Sequence, residues 1–452
     1  MKKRLLGIGE RLWVRLGATS SINIVMSAQI EGDLDLDRLK LALDTLISCH
    51  PIMRARIVQE ADGDYIHFED NILKKFTIES RQDGNQWKKI TEDTVADAIG
   101  SYDERLWNMK ILKGDETSDL ILAFSHAVID GRSILYLLKD LLSIYRDMEN
   151  NKTPEINECK PFPCFESEIE KPSFFNSFIS TLAFIYRLIK NTKKKVLKVP
   201  QLSAVKEVAA GNTGVVEMVL DKEVTAGVLA ACKKNKVGVH GLMCTLMMKS
   251  LHQTLDHKDP AVMGVTSAVD ARTLLKGDYS RHAGYFVSAV DTLRVVSPNM
   301  NIWSASRAIV MDVRSQVNHQ AMLLNLKLRN LLMNKYPDNG DFIAAVRGAS
   351  KASVFVTNFG RIDVDTYGSL KLTRLRGVPS VHFLQTPYIT VAMTSFQGKL
   401  CMNFSYARPW VSEQQVQDFV SHNKAALITI AQLQSQTNKS VQPSRGSARL
   451  KA

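Results

Sequence analysis

The sequence predicts an α/β protein built in two halves, and three observations carry that prediction. Short apolar runs of strand length, such as 23–30 and 120–124, alternate with longer stretches whose apolar residues recur at helical spacing. A polar stretch holding Pro154, Pro161, Pro163 and Pro172 separates one such series from a second. The 452 residues suffice for two cores of ordinary size, and a composition of 45% hydrophobic and 23% charged residues is that of a globular chain.

Residues 1–150 form the first half. Asn23 to Ile30 reads as a strand. Leu36, Leu39, Ala42, Leu43, Leu46 and Ile47 share one face of a helix capped by Asp35 or Asp37. Pro51 ends that helix, and a strand from Ile52 to Val58 faces a second one at Tyr65–Phe68. Leu120 to Phe124 is a buried strand. After it, Ile134, Leu137, Leu138, Leu141, Leu142 and Tyr145 line one face of a long helix.

Residues 151–210 read as a crossover linker with an amphipathic helix. Phe174, Phe175, Phe178, Ile179, Leu182, Ile185, Tyr186 and Ile189 recur at helical spacing, and lysines at 190 and 193–195 follow. Two readings stand: a helix packed on the core, which is favoured slightly, or one lying at a membrane surface across 174–195. Residues 211–434 form the second half. Strands are expected at 214–220, 261–269, 353–358, 388–395 and 399–406, and helices at 224–233, 239–254, around 303–333 and at 413–432. Residues 435–452, rich in Ser, Gln and basic residues, read as a disordered tail.

The net charge of +12 is unevenly placed. Between Lys171 and Lys206 lie eight basic residues and no acid, and after Asp418 five more basic residues and no acid. The excess therefore sits in the crossover and the tail. Neither segment interleaves aromatic and basic residues as a nucleic-acid groove would, so no nucleic-acid partner is expected. No run of about eighteen apolar residues exists to span a bilayer. The opening Met1–Arg4 starts like a signal peptide, but Glu10, Arg11 and Arg15 interrupt any apolar core, so the protein is expected in the cytoplasm, with peripheral membrane contact left open. The six cysteines have no Cys-x-x-Cys spacing and read mostly as buried thiols. No zinc helix, phosphate-cradling loop or Gly-x-Ser-x-Gly elbow is present, and no metal site is expected.

The stretch with the most chemistry is Ser125-His-Ala-Val-Ile-Asp-Gly131. A strand that stops, presents His126 in a tight loop and restarts as a helix anchors the backbone on both sides of an imidazole. Histidine titrates close to neutrality, so it can take a proton and return it. Gly131 permits a geometry or close approach that a side chain would block. As spacing alone, the same string also fits an ordinary strand–helix turn with a capping Asp130.

This stretch resembles the His-x-x-x-Asp-Gly signature of the thioester-dependent acyltransferase superfamily, which includes condensation domains, chloramphenicol acetyltransferase and the polyketide-associated and alcohol acyltransferases. Four further resemblances follow in family order: Leu6–Glu10 with Ile30-Glu-Gly32, taken as the first strand; His50-Pro-Ile-Met-Arg54; Val269-Asp-Ala-Arg272 with Gly284-Tyr-Phe-Val-Ser288; and Thr357-Asn-Phe-Gly-Arg361. The first of the two adjacent histidines of many condensation domains is Ser125 here, and the plant-type Asp-Phe-Gly-Trp-Gly is absent.

The resemblance implies two chloramphenicol-acetyltransferase-like halves with a tunnel between them. It also implies acyl transfer from a thioester to a hydroxyl, or to an amine in a free-standing condensation enzyme. A non-catalytic scaffold of the same fold is the remaining alternative. His126 becomes the general base, and Asp130 a structural residue paired with Arg272 or Arg54. Thr357 and Asn358 become candidates for the oxyanion or acceptor side, and Tyr285, Phe286 and Val287 either line the acyl side or pack the core. His50, His240, His282 and His382 lack the flanking pattern and read as structural. No bound cofactor is implied. The co-substrate is acyl-CoA or a phosphopantetheine-linked thioester, the latter delivered by an acyl or peptidyl carrier protein docking from outside.

Overall fold

A computed structural model describes residues 2–70, 76–97, 99, 102, 105–154, 159–199 and 211–441. The first half contains β1 (Lys3–Leu5), α1 (Ile8–Leu16), β2 (Asn23–Glu31), α2 (Leu36–Cys49), β3 (Ala55–Glu60), β4 (Gly63–Phe68), β5 (Phe76–Ser80), α3 (Gln86–Ala96), β6 (Trp107–Lys113), β7 (Thr117–Ser125) and α4 (Gly131–Glu149). The crossover carries α5 (Phe165–Glu168) and α6 (Phe174–Thr192). The rest comprises β8 (Asn212–Leu220), α7 (Lys222–Lys234), α8 (Val239–Thr254), β9 (Ala261–Asp270), β10 (Val287–Val296), α9 (Ile302–Gln316), α10 (His319–Lys335), α11 (Asn339–Ala349), β11 (Val354–Ile362), β12 (Thr366–Tyr367), β13 (Leu370–Pro379), β14 (Ile389–Phe396), β15 (Lys399–Arg408) and α12 (Glu413–Val441).

Two six-stranded sheets dominate, so the expected α/β class with two halves holds. One runs β12-β13-β2-β7-β6-β5 and the other β10-β9-β11-β14-β15-β8. One crossover matters for the site. β13 lies late in the sequence, yet it pairs antiparallel with β2, Pro379 opposite Ile24, and so completes the first sheet. On the other side of β2, β7 pairs with Asn23 opposite Ser125. This register fixes where β7 stops and His126 begins.

Local chemistry explains the helix bounds. Asp35 caps α2 by accepting from the Asp37 and Arg38 amides at 2.9 and 3.0 Å. Asp130 caps α4 by accepting from the Ser133 amide at 2.8 Å. The apolar face of α4 is buried as its spacing predicts, with Ile134, Leu137, Leu138, Leu141, Leu142 and Tyr145 enclosed against the first sheet.

Four expectations need correction. Leu6–Glu10 is not part of a strand: β1 ends at Leu5 and Ile8 opens α1, whose amide at Gly7 is held by Glu10 Oε2 at 2.7 Å. Residues Pro51–Arg54 form a 3₁₀ turn, so the strand expected from Ile52 starts at Ala55. Of the disordered tail expected over 435–452, residues 435–441 are helix instead, because α12 continues through Val441, and 442–452 lie outside the described residues. The core-packed reading of α6 also fails, since none of its side chains is buried.

Candidate active site

His126 follows β7 directly, and its backbone amide donates to the Ile22 carbonyl at 3.0 Å. Its Nδ1 lies 2.7 Å from the Ile129 carbonyl oxygen. A carbonyl can only accept, so the proton belongs on Nδ1 and Nε2 keeps its lone pair. Burial pushes the His126 pKa below its ordinary value of 6.5, opposed in part by the Ile129 bond and the Asp130 charge. The ring is therefore neutral near pH 7, the form a base needs.

Trp13 of α1 stacks on the imidazole, with ring centroids 4.3 Å apart and planes 18° from parallel. Its indole Nε1 donates to the Tyr285 hydroxyl at 3.1 Å, and the Tyr285 ring stands edge-on to His126 at 6.2 Å. The imidazole is thus clamped between two elements of different halves.

It is not walled off. His126 lines a cavity of about 250 Å³ between the halves. Leu12, Trp13 and Ile24 line it from one side, and Thr266, Ala268, Tyr285, Val287, Thr357, Phe359 and Tyr388 from the other. Most of these are apolar or aromatic, as in a site for a greasy ligand. Arg329 of α10 is the cation in the lining among the described residues.

Asp130 is held from several sides. Beyond the cap, its Oδ2 accepts from the Phe286 amide at 3.0 Å and from Arg272 Nη1 at 3.2 Å. Arg272 also donates to Asp270, to the Ser133 hydroxyl at 2.7 Å and to the carbonyls of Tyr279 and His282, over the Phe286 ring. Arg272, not Arg54, is the partner. Arg54 instead approaches the Glu69 and Ser48 carbonyls, both at 3.5 Å, because it sits at the end of the 3₁₀ turn before β3.

Gly131 serves close approach: a Cβ there would stand 2.5 Å from the Phe359 ring and 3.0 Å from Ile24 Cδ1. Phe359 and Thr357 point into the cavity from β11. Strand alternation turns Asn358 the other way, exposed, with its Oδ1 accepting from the Gly360 amide at 2.8 Å. The structure thus brings Thr357 to the site and leaves Asn358 outside it. Tyr285 and Val287 line the cavity, whereas Phe286 packs beneath Arg272. His50, His240 and His382 bond to Asp140, Ser267 and Thr213 respectively, away from the cavity lining.

Sequence reasoning missed Trp13, Ser133, Phe359 and Arg329. Ser133 had a usable signal, three residues past a capping Asp. Its hydroxyl donates to the Gly284 carbonyl at 2.9 Å and accepts from the Gly284 amide at 3.0 Å, tying the histidine loop to the second half.

The Condensation domain family matches residues 10–346. The chain belongs to that family. Its relatives include a polyketide synthase-nonribosomal peptide synthetase of Pyricularia grisea, 20% identical over 69% of this chain and 8% of that protein. Another is the phthiocerol/phthiodiolone dimycocerosyl transferase of Mycobacterium leprae, 26% identical over 33% of this chain and 34% of that protein. The chain thus aligns with a minor part of either relative. Among solved structures, a trichothecene 15-O-acetyltransferase from Fusarium sporotrichioides superposes with a TM-score of 0.72 over 95% of this chain and 94% of its own, at 14% identity. The first condensation domain of the CDA synthetase gives 0.68 over 95% and 96%, at 13% identity. The condensation-domain fold, two α/β halves, is therefore that of this chain, and its family joins acyltransferases with peptide-synthetase condensation domains.

Proposed function

We propose that this condensation-family protein is an O-acyltransferase, moving an acyl group from a thioester to the hydroxyl of a lipid, polyketide or other natural product. The observation that carries the reading is His126: Nδ1 is tied to Ile129 and the neutral ring lines an apolar cavity. In the proposed reaction Nε2 takes the proton of the acceptor hydroxyl as its oxygen attacks the thioester carbonyl. The resulting oxyanion needs a donor, and the Thr357 hydroxyl on the cavity wall is the candidate. The C–S bond then breaks, and the imidazolium returns its proton to the departing thiolate. No covalent enzyme intermediate is required.

The thioester is carried by coenzyme A or by the phosphopantetheine arm of an acyl or peptidyl carrier protein, and both carriers are acidic where this chain is basic. A hydroxyl acceptor is favoured over an amine by the lining. The carboxylate there, Asp130, is already paired with Arg272, and Arg329 adds positive charge, so an ammonium acceptor would meet no free counter-charge among the described residues. Amide formation by a free-standing condensation enzyme remains the second reading, with the same base.

Purified protein is incubated with acyl-CoA or acyl-pantetheine and with paired alcohol and amine acceptors, and products are read by mass spectrometry. Ester is expected, abolished in His126→Ala. Amide alone would favour the second reading, and no product from any pair would return the chain to a scaffold role.

A further inference from the structure

Helix α6 is mounted inside out. Its protein-facing side makes polar contacts around a half-buried Phe184: Thr181 Oγ1 accepts from Gln320 Nε2 of α10 at 3.1 Å, and Arg187 Nη2 donates to Ser315 Oγ of α9 at 2.7 Å. Arg187 also lies 3.6 Å from Asp312. Its outer side carries Phe174, Phe175, Phe178, Leu182, Ile185 and Ile189, with Phe174 88% and Phe175 69% exposed. A helix that packs by its apolar stripe is the ordinary arrangement in a globular protein, and this one presents the stripe to the outside.

Charge identifies what covers it. Lys190 stands over the Tyr186 ring, 5.6 Å from its centroid, at the edge of the apolar stripe. Lys193 and Lys195 follow, exposed, and no acidic residue occurs between Lys171 and Lys206. A second copy packed with its α6 parallel to this one would set one lysine run against the other, and an antiparallel copy would leave both runs without an acidic partner on α6. An anionic surface neutralises them. The helix of 19 residues is about 28 Å long, and no helix among the described residues is long and apolar enough to cross a membrane. An apolar stripe edged by lysines fits a helix lying in the interfacial plane, rings in the acyl boundary and ammonium groups at the phosphates.

We propose that α6 docks the protein on an anionic phospholipid surface. On its protein side α6 rests on α10 through Thr181 and Gln320. Because α10 also sends Arg329 into the cavity, docking through α6 puts one helix between the lipid and the His126 site. The inference stands apart from the transfer chemistry and does not require it.

The test uses the full chain and sedimentation with phosphatidylcholine vesicles, made with or without phosphatidylglycerol. Binding is expected to the anionic vesicles, weaker to phosphatidylcholine alone and weaker at high salt. A Phe174→Ser/Phe175→Ser/Phe178→Ser variant should partition at least about tenfold less with an unchanged melting temperature. A Lys190→Gln/Lys193→Gln/Lys195→Gln variant should lose the preference for phosphatidylglycerol. Wild-type protein left in the supernatant, or a serine variant that pellets as well as wild type, overturns the proposal. So does a serine variant that melts lower, since the phenylalanines would then be packed. A dimer that the serine substitutions dissociate, without vesicle binding, overturns it in favour of self-association.

Discussion

Arg272 reaches from the end of β9 in one half to Asp130, the cap of α4 in the other, closing to 3.2 Å between Nη1 and Oδ2. Both side chains are buried, and every donor of the guanidinium fork has an acceptor nearby. The pair is thus a brace between halves, set one turn of chain from the histidine.

Breaking this brace leaves a buried charge without its partner. Arg272→Ala and Asp130→Ala should each destabilise the protein by about 3–5 kcal/mol, measured by urea denaturation. The double variant should lose clearly less than the sum, because the second deletion removes a charge already orphaned. Additive losses would show that the two side chains stabilise the fold independently.

His126 makes a different prediction, since it lies on a cavity and not in a packed brace. His126→Ala should lower the rate about 10²–10⁴-fold with little change in melting temperature. The pH profile of kcat/KM should show its acidic limb below 6.5, because burial lowers the folded pKa from that value and the neutral ring is the active form. Activity falls as pH drops through that limb. A limb above 6.5 would mean that some other group is the base or that an unseen anion holds the imidazolium.

Gly131 tests the packing behind the site. An alanine methyl would press on the Phe359 ring, which also fills the space at Gly377, where a Cβ would lie 2.4 Å from it. Gly131→Ala is expected to lower kcat about tenfold or more by shifting Phe359 and the histidine loop. Gly131→Ala/Phe359→Leu should recover part of that loss, measured as steady-state rates at matched protein concentration.

Which features were legible in the sequence follows from the range of the interactions. The histidine loop and the caps at Asp35 and Asp130 are local, made by residues two or three apart, so spacing reveals them. The choice between Arg54 and Arg272 is not local: β9–β10 pairing sets Arg272 beside Phe286, and Asp130 reaches the same place through the Gly284 carbonyl and the Phe286 amide. The face of β11 was misjudged at Asn358 because a motif read as a string ignores the alternation that sends Thr357 inward. β13 carries polar residues and inserts beside β2, a pairing across more than three hundred residues that periodicity cannot announce. For α6 the periodicity predicts the helix, but a hydrophobic stripe does not say which side faces the protein.

The last prediction concerns His50, which is not among the residues lining the cavity. Its ring is buried, 3.0 Å from Asp140 Oδ2, and its pKa is raised from 6.5 to about 9: burial alone would lower it, but the Asp140 carboxylate, with Cys159 close by, outweighs that. The folded state therefore holds the proton more tightly than the unfolded chain does. Stability from this pair is fully present below pH 6.5 and is lost as pH rises through 9, by up to about 3 kcal/mol. Asp140 is partly exposed, so solvent screening reduces that figure. Urea midpoints taken from pH 6 to 9.5 should fall for the wild-type protein and flatten in His50→Gln, which cannot titrate. If the wild-type midpoint instead rose across that range, the imidazole would be buried neutral and the ion pair would not form.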